Sequence, residues 1–171
     1  MTIAEILLQD FDAEMKGTRT TLERIPDSED KRDFKCHDKS MPMGRLAMHV
    51  ATLPLFGKYI LTDPDMDMAN PRHSRIDLVL KSREDLLSHF DSSAAACRAA
   101  LTAATDADLQ QPWKFSFGDK LISNMTRFAT YRSIFFNHLI HHRAQLGVYL
   151  RLNDLPVPAL YGPSADDSMG F

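Results

Sequence analysis

The sequence is poor in the features that define several protein classes. Its 171 residues hold two cysteines, one tryptophan and seven glycines. Cys36 and Cys97 lie far apart and outside any CxxC pattern, which argues against a disulfide framework or a zinc ribbon. They read as reduced thiols, Cys97 as a small core residue. No apolar run approaches the roughly 18 residues of a membrane span, so no membrane partner is expected. The start, Met1-Thr2-Ile3-Ala4-Glu5, lacks the basic region and apolar core of a signal peptide. Lys and Arg are scattered, and with a net charge of −3 and a pI near 6.1 there is no electrostatic reason to expect nucleic acid. These absences leave a cytoplasmic soluble protein as the expectation.

What is present is helical periodicity. With 44% hydrophobic residues, the chain is long enough for one sizeable core and is expected to form a single domain over residues 1–171. Thr2 with Glu5 is a capping box, and Ile3, Leu7, Phe11, Met15 and Leu22 then form a stripe that ends at Pro26. The charged segment 27–40 reads as a loop. Pro42 opens a second helix with the stripe Leu46, His49, Val50, Leu53, Phe56 and Ile60, interrupted by Pro54. Ser74 with Asp77 suggests the cap of a third helix through Leu101, whose Ala94–Ala96 and Ala99–Ala100 would let a neighbour approach closely. Trp113, Phe115 and Phe117 alternate before Gly118-Asp119, predicting a short extended segment or hairpin laid over the helices. The last helix is expected from about Lys120 to Leu152, stopped by Asn153-Asp154 and Pro156. The expected fold is all-α, a four-helix bundle with a short extended connector before the last helix.

The chemistry lies in Phe136-Asn137-His138-Leu139-Ile140-His141-His142-Arg143. Residues four apart on a helix share a face, so His138 and His142 could bind one ion, and imidazole suits zinc, nickel, copper and ferrous iron. Both align with apolar neighbours, whereas His141 falls on a more polar strip at the edge. His49, on the apolar stripe of the second helix, is the best candidate for a third ligand. Three histidines would leave coordination positions open, as catalytic sites do. Against this stands the plainer possibility of hydrogen-bonded histidines at the edge of the core. His37, His73 and His89 read as surface residues, and Cys36-His37 has no further ligands at zinc-finger spacing. Tyr131 and Gln145 lie within a turn or two of the pair. Packing is expected of Tyr131, a helix–helix hydrogen bond of Gln145, and anchoring of a neighbouring helix or the tail of Arg143. Trp113 reads as a cover for the bundle.

Leu46-Ala47-Met48-His49-Val50-Ala51, His138-Leu139-Ile140-His141-His142-Arg143-Ala144-Gln145-Leu146, Val148-Tyr149-Leu150-Arg151 and the tail from Val157 to Asp166 together resemble the DinB superfamily of damage-inducible bacterial proteins. The likeness runs over essentially the whole chain; Ala144 stands where the family commonly has glycine. It implies an up-down-down-up four-helix bundle, often homodimeric and linked to stress responses. It also implies a divalent metal, zinc or nickel, held by His49, His138 and His142. Characterised relatives include metal-dependent transferases and isomerases using bacillithiol, mycothiol or glutathione. The implied function is therefore metal-dependent transfer of a low-molecular-weight thiol to a small electrophile. A metal-dependent hydrolase and a non-catalytic metal-binding stress protein are the alternatives.

Overall fold

A computed structural model describes residues 1–74 and 76–168; of the expected domain, Arg75 and residues 169–171 lie outside the described residues. Helix α1, Ile3–Leu22, opens on the expected capping box: Thr2 Oγ1 accepts from the Glu5 amide at 3.1 Å, and Glu5 Oε2 accepts from the Thr2 amide at 2.7 Å. Helix α2, Met43–Thr62, starts directly after Pro42 and stays helical through Pro54. Helix α3 is Arg83–Ala103. Helix α4 comprises residues 127–152 and has three parts: an α-turn Arg127–Thr130, a π-helical stretch Tyr131–Phe136 and an α-helix Asn137–Leu152. Single helical turns at Glu29–Arg32, Pro71–Ser74 and Asp106–Gln110 punctuate the connections. The buried faces of α1 to α4 meet in one core that includes Phe11, Leu46, Val50, Leu86, Phe90, Phe135 and Leu146.

The all-α expectation is corrected: the fold is mostly helical but contains a three-stranded sheet. Strand β1, Asp65–Asp67, pairs in parallel with β2, Pro112–Phe117, and β2 pairs antiparallel with β3, Lys120–Thr126. Lys120–Thr126 is thus a strand, and α4 begins only where Thr126 Oγ1 caps it by accepting from the Ala129 amide at 3.2 Å. Ile122, Met125 and Phe128 have helical spacing, but Gly118, at φ +54, turns the chain so that β3 finds β2 as a partner. Trp113 is 1% exposed and donates from Nε1 to the Asp63 carbonyl at 2.9 Å, so it covers the bundle as expected. A bulge between Phe115 and Ser116 then shifts the register and leaves Phe117 exposed.

Two further expectations change. Helix α3 is capped by Ser82, whose Oγ accepts from the Asp85 amide at 3.0 Å, rather than by Ser74, whose hydroxyl donates to the Asn70 carbonyl at the end of its own turn. Ala95, Ala96 and Ala99 face solvent, while Ala94 and Ala100 are half-buried and Ala94 packs on the core. A tight approach also occurs at Gly57 of α2, where a Cβ would lie 2.7 Å from Cys97 Sγ and from the Phe135 ring.

Candidate metal centre

Helix α2 presents His49 and α4 presents His138 and His142 to the same point. Their ligand atoms lie within 4.8 Å of one another, and all three side chains are half-buried. His138 Nε2 is 2.8 Å from His142 Nε2 and 3.4 Å from His49 Nε2. Bonds of 2.0–2.1 Å to a tetrahedral zinc would hold neighbouring nitrogens about 3.3 Å apart, close to this spacing.

The far side of the rings shows what the near side must be. His138 Nδ1 lies 3.1 Å from the Ile134 carbonyl, and His142 Nδ1 lies 2.7 Å from Gln145 Oε1. Both oxygens only accept, so each Nδ1 carries the hydrogen and each Nε2 is left as a bare lone pair. Two bare lone pairs 2.8 Å apart have no proton to share. A cation satisfies them, so these residues could hold a metal ion. Electrostatics favour the same state. Burial pushes the His49 imidazole down to about 4, helped by His142, His138 and Arg45. Burial also lowers His138 and His142, opposed by the Ile134 carbonyl and by Gln145 respectively. At neutral pH the rings are neutral and free to ligate.

The π-helical stretch sets this orientation. A π-bulge adds one residue to a turn and rotates the remainder of the helix by roughly 100° relative to an unbroken α-helix. Tyr131 therefore does not share a face with His142. It is fully buried, with its hydroxyl beside the Cys97 thiol, and burial raises both groups well above their usual range. Packing is its role, as expected. Gln145 does not bridge helices as the periodicity suggests; it orients His142 within α4. Arg143 points away from the site and is 2% exposed. It pairs with Glu14 at 2.6 Å and donates to the Thr18 and Tyr161 hydroxyls, anchoring both α1 and the tail.

His37 and His89 are exposed as expected, and His141, expected at the edge of the inward face, is exposed at the rim of a cleft beside the histidines. His73 is not: it is buried against the Tyr59 ring, with Nε2 3.5 Å from Asp63 Oδ2. Pairing of β1 with β2 folds the loop after α2 inward, where this histidine is buried, and it is not part of the His49–His138–His142 cluster.

A cleft of about 610 Å³ opens beside His49 and His138, walled by Leu53, Phe56, Met68, Phe115 and Ile134, with Ser133, Asn137 and His141 also lining it. Phe115 belongs to the alternating segment expected to lie over the helices, whereas Met68, just after β1, carries no signal in the sequence. A second cleft of about 390 Å³ adjoins His142 and Gln145 and includes Cys36, Lys39 and Tyr149. The Cys36 thiol is exposed, 3.4 Å from the Ser40 hydroxyl; Ser40 and Tyr149 hold its pKa below the usual thiol value.

The model of the DinB family matches residues 2–169. The chain belongs to the DinB family. Among solved structures it is similar to a DinB-like protein from Bacillus cereus ATCC 10987, with a TM-score of 0.67 and 22% identity over 94% of this chain and 98% of the other. It is also similar to the DinB-like protein YjoA from Bacillus subtilis, with a TM-score of 0.64 and 22% identity over 87% of this chain and 94% of the other. At that identity the likeness carries the DinB-like fold. No curated protein matches significantly. Among the described residues of this DinB-family chain, no helix is long and apolar enough to cross a membrane.

Proposed function

We propose that the chain binds one divalent ion, zinc or nickel, through His49, His138 and His142, and transfers a low-molecular-weight thiol to a small electrophile. The observation that carries the metal reading is the pair of fixed Nδ1 hydrogens, which aim bare Nε2 lone pairs at one point. The open cleft beside the histidines supports a catalytic rather than a purely structural ion, because a structural site closes its coordination shell. Bound there, the ion would supply the positive charge that lowers the pKa of a thiol and keeps it a thiolate at neutral pH. In the transfer, the thiolate sulfur bonds to the electrophilic carbon, the leaving group departs with its electron pair, and the thiol proton passes to solvent. The chain's own contribution is to hold three neutral imidazoles in place and to line the approach with apolar side chains that exclude water.

The experiment combines metal content with turnover. Wild-type protein should carry about one ion per chain, lost in His49→Ala, His138→Ala and His142→Ala but kept in His141→Ala and His73→Ala. A panel of bacillithiol, mycothiol and glutathione with chlorodinitrobenzene should show turnover that needs both metal and one particular thiol. Cys36→Ser should leave this turnover intact; its loss would move the nucleophile onto the chain. Metal-dependent ester or amide hydrolysis without thiol transfer would replace the reading with a hydrolase. Silence in both assays at full metal occupancy would leave a non-catalytic metal-binding protein.

A further inference from the structure

The cleft beside the histidines has a chemical character of its own. Its walls come from three separate parts of the chain: Leu53 and Phe56 from α2, Met68 and Phe115 from the sheet region, and Ile134 from the π-helical stretch. Among the described residues, no lysine, arginine, aspartate or glutamate lines it. The Ser133 hydroxyl is already committed to the Ala129 carbonyl at 2.8 Å, while Asn137 and His141 sit at exposed positions. At about 610 Å³ the space suits one small molecule. Held against these walls and away from the histidines, a carboxylate or phosphate would be desolvated with no cationic side chain of the described residues to meet it, whereas an aromatic or aliphatic body would gain contact with two phenyl rings and a thioether. The sheet is what makes this a cleft: the β1–β2 pairing brings Met68 and Phe115 over a helix face that would otherwise lie open.

We propose that this cleft binds the uncharged, apolar body of the substrate and rejects analogues bearing a carboxylate or phosphate on that body. The assignment of the bound molecule as the electrophile rests on the transferase reading above; the binding preference itself does not.

The test is equilibrium binding, which needs no turnover. N-phenyl-1-naphthylamine, an uncharged dye that brightens in apolar sites, would be titrated into metal-loaded and metal-stripped protein. It would then be displaced by chlorodinitrobenzene or by its carboxylated analogue, 4-chloro-3,5-dinitrobenzoate. In the metal-stripped protein, where no ion can attract the carboxylate, the uncharged compound should compete at least about tenfold better, the direction set by the cost of burying an unpaired charge. Phe115→Ser should weaken dye binding. Because Phe115 pairs within the sheet, a second variant guards against misfolding: Met68→Lys, at a half-buried position just after β1, should narrow or reverse the preference by giving the carboxylate a partner. Equal competition by the two compounds in the metal-stripped wild type, or dye binding indifferent to both variants, would overturn the inference. Discriminated binding without thiol turnover would support it and remove the transferase reading. Turnover without discrimination would do the reverse.

Discussion

Gln145 offers the sharpest check on the histidine geometry, because it holds His142 without belonging to the cluster itself. Its Oε1 accepts from His142 Nδ1 at 2.7 Å and fixes the tautomer that leaves Nε2 free. Outer-shell partners of this kind typically contribute 10–100-fold in metal affinity, or about 1.4–2.7 kcal/mol. Two features of the structure place the effect within that range. Gln145 is half-buried and lines the smaller cleft, so water can enter where its amide is removed. His138 keeps its own support from the Ile134 carbonyl, which no side-chain substitution removes. Gln145→Ala, whose gap admits water, should therefore lose about tenfold or less. Gln145→Leu fills the space and excludes water, and should fall nearer the upper end of the range. Gln145→Glu supplies an anionic acceptor and should bind at least as tightly as wild type, since charge-assisted hydrogen bonds are stronger. Zinc affinity would be measured by competition with a chromophoric chelator at fixed pH, with circular dichroism confirming the fold. Equal affinity for wild type, Ala and Leu would refute the tautomer argument. So would a Glu variant that binds more weakly than the Ala variant, because a proton on Nδ1 must favour the anion.

Arg143→Leu should destabilise the protein by about 3 kcal/mol, the low end for breaking a buried ion pair because Glu14 keeps some solvent contact and its hydrogen bond from Tyr161. Urea denaturation would read this as a lowered midpoint, and adding Glu14→Gln should recover part of the loss. An unchanged midpoint would show that the pair does not anchor the tail. We further propose a homodimer built on helix faces, motivated by Val148 and Leu152, exposed on one side of α4; light scattering that stays monomeric at high micromolar concentration would refute it.

The features legible in the linear chain were those built from near neighbours. The i,i+4 pair His138 and His142, the Thr2–Glu5 capping box and the helix start after Pro42 are local geometry, so spacing alone announces them. His49 was readable because it interrupts an apolar stripe whose direction is set by the helix period. Arg143 was readable as an anchor because it comes one residue after His142 and so must point elsewhere. What escaped depends on distant partners. Lys120–Thr126 carries a helix-like spacing, but its backbone groups are claimed by β2, and β2 in turn pairs with Asp65–Asp67 almost fifty residues upstream. A three-residue strand such as β1 has no periodicity of its own to detect; it exists because a partner lies alongside. The same long-range pairing buries His73 and brings Met68 and Phe115 to the cleft. The π-helical turn is likewise invisible to a 3.6-residue period, and it sends Tyr131 into the core while His138 and His142 turn toward His49. The candidate ligands are thus written in local spacing, whereas the walls that would select what reaches them come from contacts between segments far apart in the chain.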